Sequence, residues 1–199
     1  MYKNRKRSTK ETAENGSSSK KQKRYTPTTS TSSRFSQELG RSIFLTASQF
    51  EGKVYVHIRK YSVQEEQKYP TKAGAGLSLI RWKTFENIFP NIRNSLDLNE
   101  DEYKAHIGGN WYVTVSPEFS NVDIRQFWLP PGENEVVATR KGISISKSEF
   151  RKLESLVEDL KRAVPELEEV QLCLAREDHQ NQLGVLRCQE CNPTDFHNW

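Results

Sequence analysis

Cysteine is scarce in this 199-residue chain: there are three, an odd number and too few for the disulfide framework of a small secreted domain. The chain therefore reads as intracellular, in a reducing compartment. Apolar residues make up only 34%, no run is long enough to span a bilayer, and there is no apolar leader core, so neither membrane insertion nor secretion is expected. No nucleophile–base pair or complete metal set stands out, so we expect no enzyme and no cofactor. Cys188-x-x-Cys191, with Cys173, His179 and His197, has the residue types of a zinc site, but a single Cys-x-x-Cys lacks a second matched pair, and unliganded thiols are the expected state.

What the chain does have is an uneven distribution of charge. Met1 to Arg34 carries ten Lys or Arg against two Glu, a net of +8, which leaves the remainder at −4. Any anion binding by the folded part must therefore come from local patches rather than from the net field. Residues 35–95 hold nine basic and five acidic residues, and residues 96–199 hold eleven and nineteen, so phosphate binding is expected mainly from the earlier part. Residues 1–34 have almost no apolar side chains and are expected to be disordered. Two basic clusters there, Lys3-Arg5-Lys6-Arg7 and Lys20-Lys21-Lys23-Arg24, have the spacing of a bipartite nuclear-import signal or of a nonspecific nucleic-acid-binding tail, with Ser17 to Ser19 placed to modulate the second cluster by phosphorylation.

The stretch Lys53-Val54-Tyr55-Val56-His57-Ile58-Arg59 alternates. In a strand, Val54, Val56 and Ile58 face a core, while Lys53, Tyr55, His57 and Arg59 line the other side. Cations interleaved with rings suit a single-stranded nucleic acid, whose phosphates pair with Lys or Arg and whose unstacked bases stack on aromatics. An ordinary half-buried strand with a polar outer face has the same pattern. A related pattern returns at Asn121-Val122-Asp123-Ile124-Arg125-Gln126-Phe127-Trp128. Each copy leads to a Gly-aliphatic-Ser-aliphatic element, Gly76-Leu77-Ser78-Leu79 and Gly142-Ile143-Ser144-Ile145, and the separations Arg59 to Gly76 and Arg125 to Gly142 are both 17. This internal repeat argues for two related modules. Gly74 is an alternative register for the first, and it fits better when measured back from Trp82.

The order strand, strand, turn, strand, Gly-x-Ser, helix resembles the transcriptional positive cofactor four family of single-stranded DNA-binding coactivators. The likeness is carried in the first copy by Phe50, Gly52-Lys53-Val54, Ile58-Arg59, Tyr61, Pro70, Gly-Leu-Ser-Leu and Trp82, and in the second by Tyr112 to Val115, Asp123 to Trp128 and Thr139 to Ile145. Glu51 and Ser62 depart from the expected Lys and Trp, and the second copy is shorter between Val115 and Arg125. The resemblance implies that Arg59 and Arg125 contact phosphate, that Lys53, Lys72 and Lys68 extend the first site, and that Arg140 and Lys141 extend the second. Trp128 is a base-stacking candidate or a buried sheet-edge residue, and Tyr55 and Tyr61 are further, weaker stacking candidates. His57 is a surface spectator or a phosphate contact strengthened by protonation.

Ser146-Lys147-Ser148-Glu149 is a capping box, and Phe150, Leu153, Leu156, Val157, Leu160 and Val164 follow at helical spacing up to Pro165. In the first copy Trp82, Phe85, Ile88 and Phe89 precede Pro90, which should end or kink the helix. We expect an α+β fold of two small modules, each a curved antiparallel sheet followed by a helix, paired as an intramolecular pseudo-dimer or between chains. The organisation is a basic tail at 1–34, module one at 35–95, a linker at 96–110, module two at 111–165 and an extension at 166–199. Within the linker the acidic stretch Asp97 to Glu102 reads as a solvated connector, and Val170, Leu172 and Leu174 with Leu183 and Val185 suggest a terminal hairpin. The expected function is a nuclear single-stranded DNA-binding coactivator of RNA polymerase II, with melted DNA and general transcription factors or activators as partners and no membrane. A protein-interaction adaptor with partly lost DNA binding is the alternative.

Overall fold

The computed structural model describes residues 33–64, 67–98, 102–116 and 118–193. Residues 1–32 of the basic tail, with the import clusters, and His197 lie outside them, while Ser33 and Arg34 already belong to the first strand. Strands β1 (Ser33–Gly40), β2 (Ile43–Phe50), β3 (Lys53–Gln64) and β4 (Gln67–Ser78) form one antiparallel sheet in sequential order, followed by α1 (Leu79–Asn87) and α2 (Phe89–Leu98). A second sheet repeats the plan with β5 (Tyr103–Gly108), β6 (Trp111–Ser116), β7 (Asn121–Trp128) and β8 (Val137–Ser146), followed by α3 (Lys147–Ser155) and α4 (Val157–Ala163). The fold is α+β, with two tandem modules.

Alternation builds each sheet. Leu45, Ala47, Val56, Ile58, Ala75 and Leu77 are fully buried on the inner face of the first, and Val113, Val115, Val122, Ile124 and Ile145 on that of the second. The helices cover these faces with a matching stripe: Trp82, Phe85, Phe89, Ile92 and Leu96 in one module, Phe150, Leu153, Val157, Leu160 and Val164 in the other, all buried. Both stripes belong to a single hydrophobic cluster, with the Phe89 and Phe150 rings 5.2 Å apart, edge to face. Small modules bury too little apolar surface alone, and a shared core supplies the deficit.

The helix after each sheet breaks at the same place. Ile88 and Leu156 both adopt φ −95° with ψ near zero, and their N–H groups bond three residues back, to Phe85 and Leu153. Pro90 therefore does not set the kink by itself, since the second module has no proline there, and the expected continuous helix up to Pro165 is two segments. The stripe survives because the break turns the second segment along the shared core.

The turns tie the modules together. Arg41-Ser42 closes β1–β2 with both residues at positive φ, as Gly109 does at the equivalent β5–β6 turn. Such conformations cost a non-glycine residue on the order of 1 kcal/mol. Arg41 is held there by Glu149 of the α3 first turn, Nε to Oε1 2.8 Å and Nη2 to Oε2 2.5 Å. Glu149 also completes the expected capping box with Ser146.

Two stretches differ from expectation. Residues 103–108, read as linker, form the edge strand β5, because His106 and Ile107 alternate against β6, and Asp97 lies in α2, where it stays exposed while pairing with Lys147 at 3.0 Å and Arg151 at 2.7 Å. The terminal hairpin is absent from the described residues. Helix α5 (Glu166–Glu169), two 3-10 turns (Cys173–Ala175 and Glu177–His179) and α6 (Gln182–Arg187) take its place. Of the two edge strands of the second sheet, β8 lies against β4 and β5 against α1.

Candidate nucleic-acid interface

The helices lie on the inner faces, and among the described residues no helix packs on the outer face of either sheet. Across the first, strand register sets Phe44, Arg59 and Gly74 side by side, and across the second it sets Tyr112, Arg125 and Gly142 side by side. The true equivalent of Gly142 is thus Gly74. The equal 17-residue spacing to Gly76 is a coincidence, created by a turn that differs in length. Ser78 and Ser146 then match as helix N-caps.

A common local device fixes both arginines. After each of them the ladder is irregular, and a threonine on the next strand spans the gap: Thr71 Oγ1 donates to the Lys60 carbonyl at 2.7 Å, and Thr139 Oγ1 to that of Gln126 at 2.9 Å. The threonine carbonyl in turn accepts from the arginine, at 3.2 Å for Arg59 and 2.9 Å for Arg125. Reaching it requires the side chain to cross the neighbouring glycine. A Cβ on Gly74 would sit 2.9 Å from Arg59 Cγ, and one on Gly142 would sit 2.6 Å from the Ile124 carbonyl oxygen and 2.9 Å from Arg125 Cβ. That is the physical reason for glycine at both positions.

The two sites then diverge. Arg125 is gripped by Asp123, Nε to Oδ2 2.7 Å and Nη2 to Oδ1 2.8 Å, and this hydrogen-bonded carboxylate raises the guanidinium pKa further. The position equivalent to Asp123 is His57, and among the described residues Arg59 has no carboxylate partner. Burial first, and Arg59 second, push the His57 pKa below its usual value, so it is neutral near pH 7. Its Nε2 faces the Ser48 hydroxyl at 3.2 Å.

Around Arg59, Phe44 and Tyr61 meet edge to face at 5.2 Å, with Lys68 Nζ 4.3 Å from the Phe44 centroid. Tyr112 and Phe127 are 4.7 Å apart in the second module, with Lys104 Nζ 4.6 Å from the Phe127 ring. Phe44 and Lys104 fall outside the sequence expectations: strand register puts Phe44 on the arginine side, where it is only 7% exposed. Lys53, Lys72, Arg140 and Lys141 are exposed, and Tyr55 is half-buried with its ring 6.3 Å from His57. Trp128, half-buried, ends β7 opposite Val137. Where the modules meet, Arg41 and Lys60 of the first share a cleft of about 300 Å³ with Arg125 and Arg140 of the second.

These features define a tandem sheet-and-helix protein whose modules each lay an arginine across a glycine on an open, basic-aromatic face. Residues 37–88 match the family model Transcriptional Coactivator p15 (PC4), which covers the first module from within β1 to the end of α1, about a quarter of the chain. A Caenorhabditis elegans protein named "Putative RNA polymerase II transcriptional coactivator" is 33% identical over 57 residues, 28% of this chain and 46% of that relative, so the match spans less than half of the relative's length. No solved structure matches the chain.

Proposed function

We propose that this protein is a single-stranded DNA-binding coactivator that acts with RNA polymerase II in the nucleus, without enzymatic activity, and that the first module provides most of the grip. The observation that carries the reading is the contrast between Arg59, extended across Gly74 with no carboxylate partner among the described residues, and Arg125, clamped by Asp123. Phosphates would run past Arg59, Lys53, Lys68 and Lys72, and unstacked bases would meet Tyr55 and Tyr61, the latter backed by the buried Phe44 ring. Arg140, Lys141 and Trp128 would extend a weaker second path, and the intermodule cleft with Arg41 and Lys60 would link the two.

The modules, the second beginning at β5, would act as an intramolecular counterpart of a dimer. The shared core and the Arg41–Glu149 contact support this, because a covalent connection gives the pair a high effective concentration. Melted promoter DNA and general transcription factors or activators are the proposed partners. A second reading, an adaptor whose second module docks protein instead of DNA, is favoured by the Asp123 clamp and the acidic excess after residue 95.

The test is a fluorescence-anisotropy titration of the full chain against single-stranded and duplex oligonucleotides at two salt concentrations. We expect preference for the single strand and a steep loss of affinity with salt, each neutralised phosphate adding about 0.7 to the log–log slope. Arg59→Ala should weaken binding about tenfold, and Arg125→Ala by less than about threefold. Equal binding by wild type and the Arg59 variant rejects the assignment.

A further inference from the structure

The carboxy-terminal extension carries a cluster that the sheet faces do not use. Cys173, His179, Cys188 and Cys191 come from the first 3-10 turn, the second 3-10 turn, and the Cys-x-x-Cys knuckle after α6, and their potential ligand atoms all lie within 4.8 Å of one another. We infer that these four residues form a zinc site of Cys3His type, which locks the extension onto the body of the protein.

Geometry and donor chemistry agree with a metal. Zinc bound tetrahedrally at about 2.3 Å to sulfur and 2.0–2.1 Å to nitrogen keeps its ligand atoms about 3.6–3.8 Å apart. The Cys173 and Cys188 sulfurs are 3.9 Å apart, so closing on an ion requires movements below an ångström. The same distance is nearly twice the roughly 2.05 Å of a disulfide bond. Three thiolates and an imidazole are a set that selects zinc over the hard cations, which prefer oxygen. On binding, the three thiols release their protons to solvent and each sulfur donates a lone pair, as does one ring nitrogen.

The histidine provides an independent sign. Its side chain is only 3% exposed although it sits in a surface turn. Nδ1 is 2.7 Å from Asp178 Oδ1, and Asp178 is itself held by Arg176 through contacts of 3.0 and 2.7 Å. Nε2 is buried and has no hydrogen-bond partner. A ring oriented by a carboxylate through one nitrogen, with the other left for an ion, is the arrangement found around zinc-bound histidines.

The knuckle also explains what the metal would hold. Glu190, inside Cys188-Gln189-Glu190-Cys191, reaches Arg81 at the start of α1 with Oε2 2.6 Å from Nε, and its carbonyl accepts the Gly109 N–H at 2.8 Å. Arg81 occupies, in the first module, the helix position that Glu149 occupies in the second, four residues before the equivalent of Leu153. Arg41 meets Glu149 directly, but the turn opposite Arg81 has Gly109, so the acidic partner arrives from the extension. Zinc at the knuckle fixes the segment that delivers Glu190.

The experiment is metal analysis of the untagged full chain expressed in zinc-supplemented medium, with cobalt substitution as a second readout. We expect about one zinc per chain, released when the thiols are titrated with a mercurial, and a cobalt form with tetrahedral d–d bands and sulfur-to-cobalt charge transfer. Cys191→Ser should lose the metal, and Asp178→Asn, which keeps all four ligands, should weaken zinc binding about 10–100-fold as a positioning residue. Removing the ion should expose residues 166–193 to limited proteolysis while single-stranded DNA binding persists. Substoichiometric zinc together with a featureless cobalt spectrum overturns the site, as does a mass two daltons lower that reveals a Cys173–Cys188 disulfide.

Discussion

Arg125 and Asp123, two residues apart on β7, form a bidentate ion pair in which each side chain is about one quarter exposed. A phosphate must compete with that carboxylate for the same guanidinium. We expect Asp123→Asn to raise the affinity of the full chain for single-stranded DNA about three- to tenfold at low salt, and to steepen the salt dependence by close to one phosphate's worth. Anisotropy titrations of the variant at several salt concentrations measure both; unchanged affinity and slope contradict a latent second site.

Gly74 and Gly142 occupy equivalent positions, but a methyl group at each meets different atoms. At Gly74 it meets the Arg59 side chain, which can swing away, and at Gly142 it meets the backbone oxygen of Ile124. Gly142→Ala should therefore cost about 1–3 kcal/mol of stability, while Gly74→Ala should cost less than about 1 kcal/mol yet weaken DNA binding by displacing Arg59. Thermal melts alongside binding titrations separate the two, and the reverse ranking in the melts contradicts the account.

Glu149 is buried, which alone would raise its pKa, but the hydrogen bonds from Arg41 and from the Ser146 N–H and hydroxyl together hold it below its ordinary value of 4.5. The sign follows from linkage. Its stabilising contribution is complete above the unfolded pKa and drains as pH falls through the lower folded one. Glu149→Gln should cost about 1–3 kcal/mol at pH 7, mostly through the capping box because Arg41 is largely exposed, and the deficit should shrink in acid. Denaturant unfolding at pH 7 and pH 3 reads this, and a pH-independent deficit counts against it.

His57 is kept neutral by burial and by Arg59, so its folded pKa lies below 6.5. The unfolded chain takes up that proton first, and the folded state loses stability as pH falls below about 6.5. Single-stranded DNA affinity should be flat between pH 8 and 7. In His57→Gln the stability loss between about pH 6.5 and 5 should be smaller; NMR titration of the His57 ring gives the pKa directly, and a value above 6.5 refutes the prediction.

Much of the design is visible in residue order, because short-range periodicity is a local property. The period-two pattern of Lys53 to Arg59, the Ser146–Glu149 capping box and the helical stripe from Phe150 to Val164 each state their own conformation and their buried side. Ionic and register details are less visible. The strand at 103–108 is short and follows an acidic run, so it reads as linker until β6 supplies its partner.

Residue order by itself determined that there are two sheet-and-helix units, which faces are apolar, and that the cationic excess lies outside the second unit, since alternation, capping and charge are written along the chain. Only the tertiary structure decided that Gly74 answers to Gly142, that Asp123 occupies Arg125 while Arg59 lacks a carboxylate partner among the described residues, and that three cysteines and a histidine converge. The physical reason is that strand register and turn length set which distant side chains meet, and neither is encoded in local spacing.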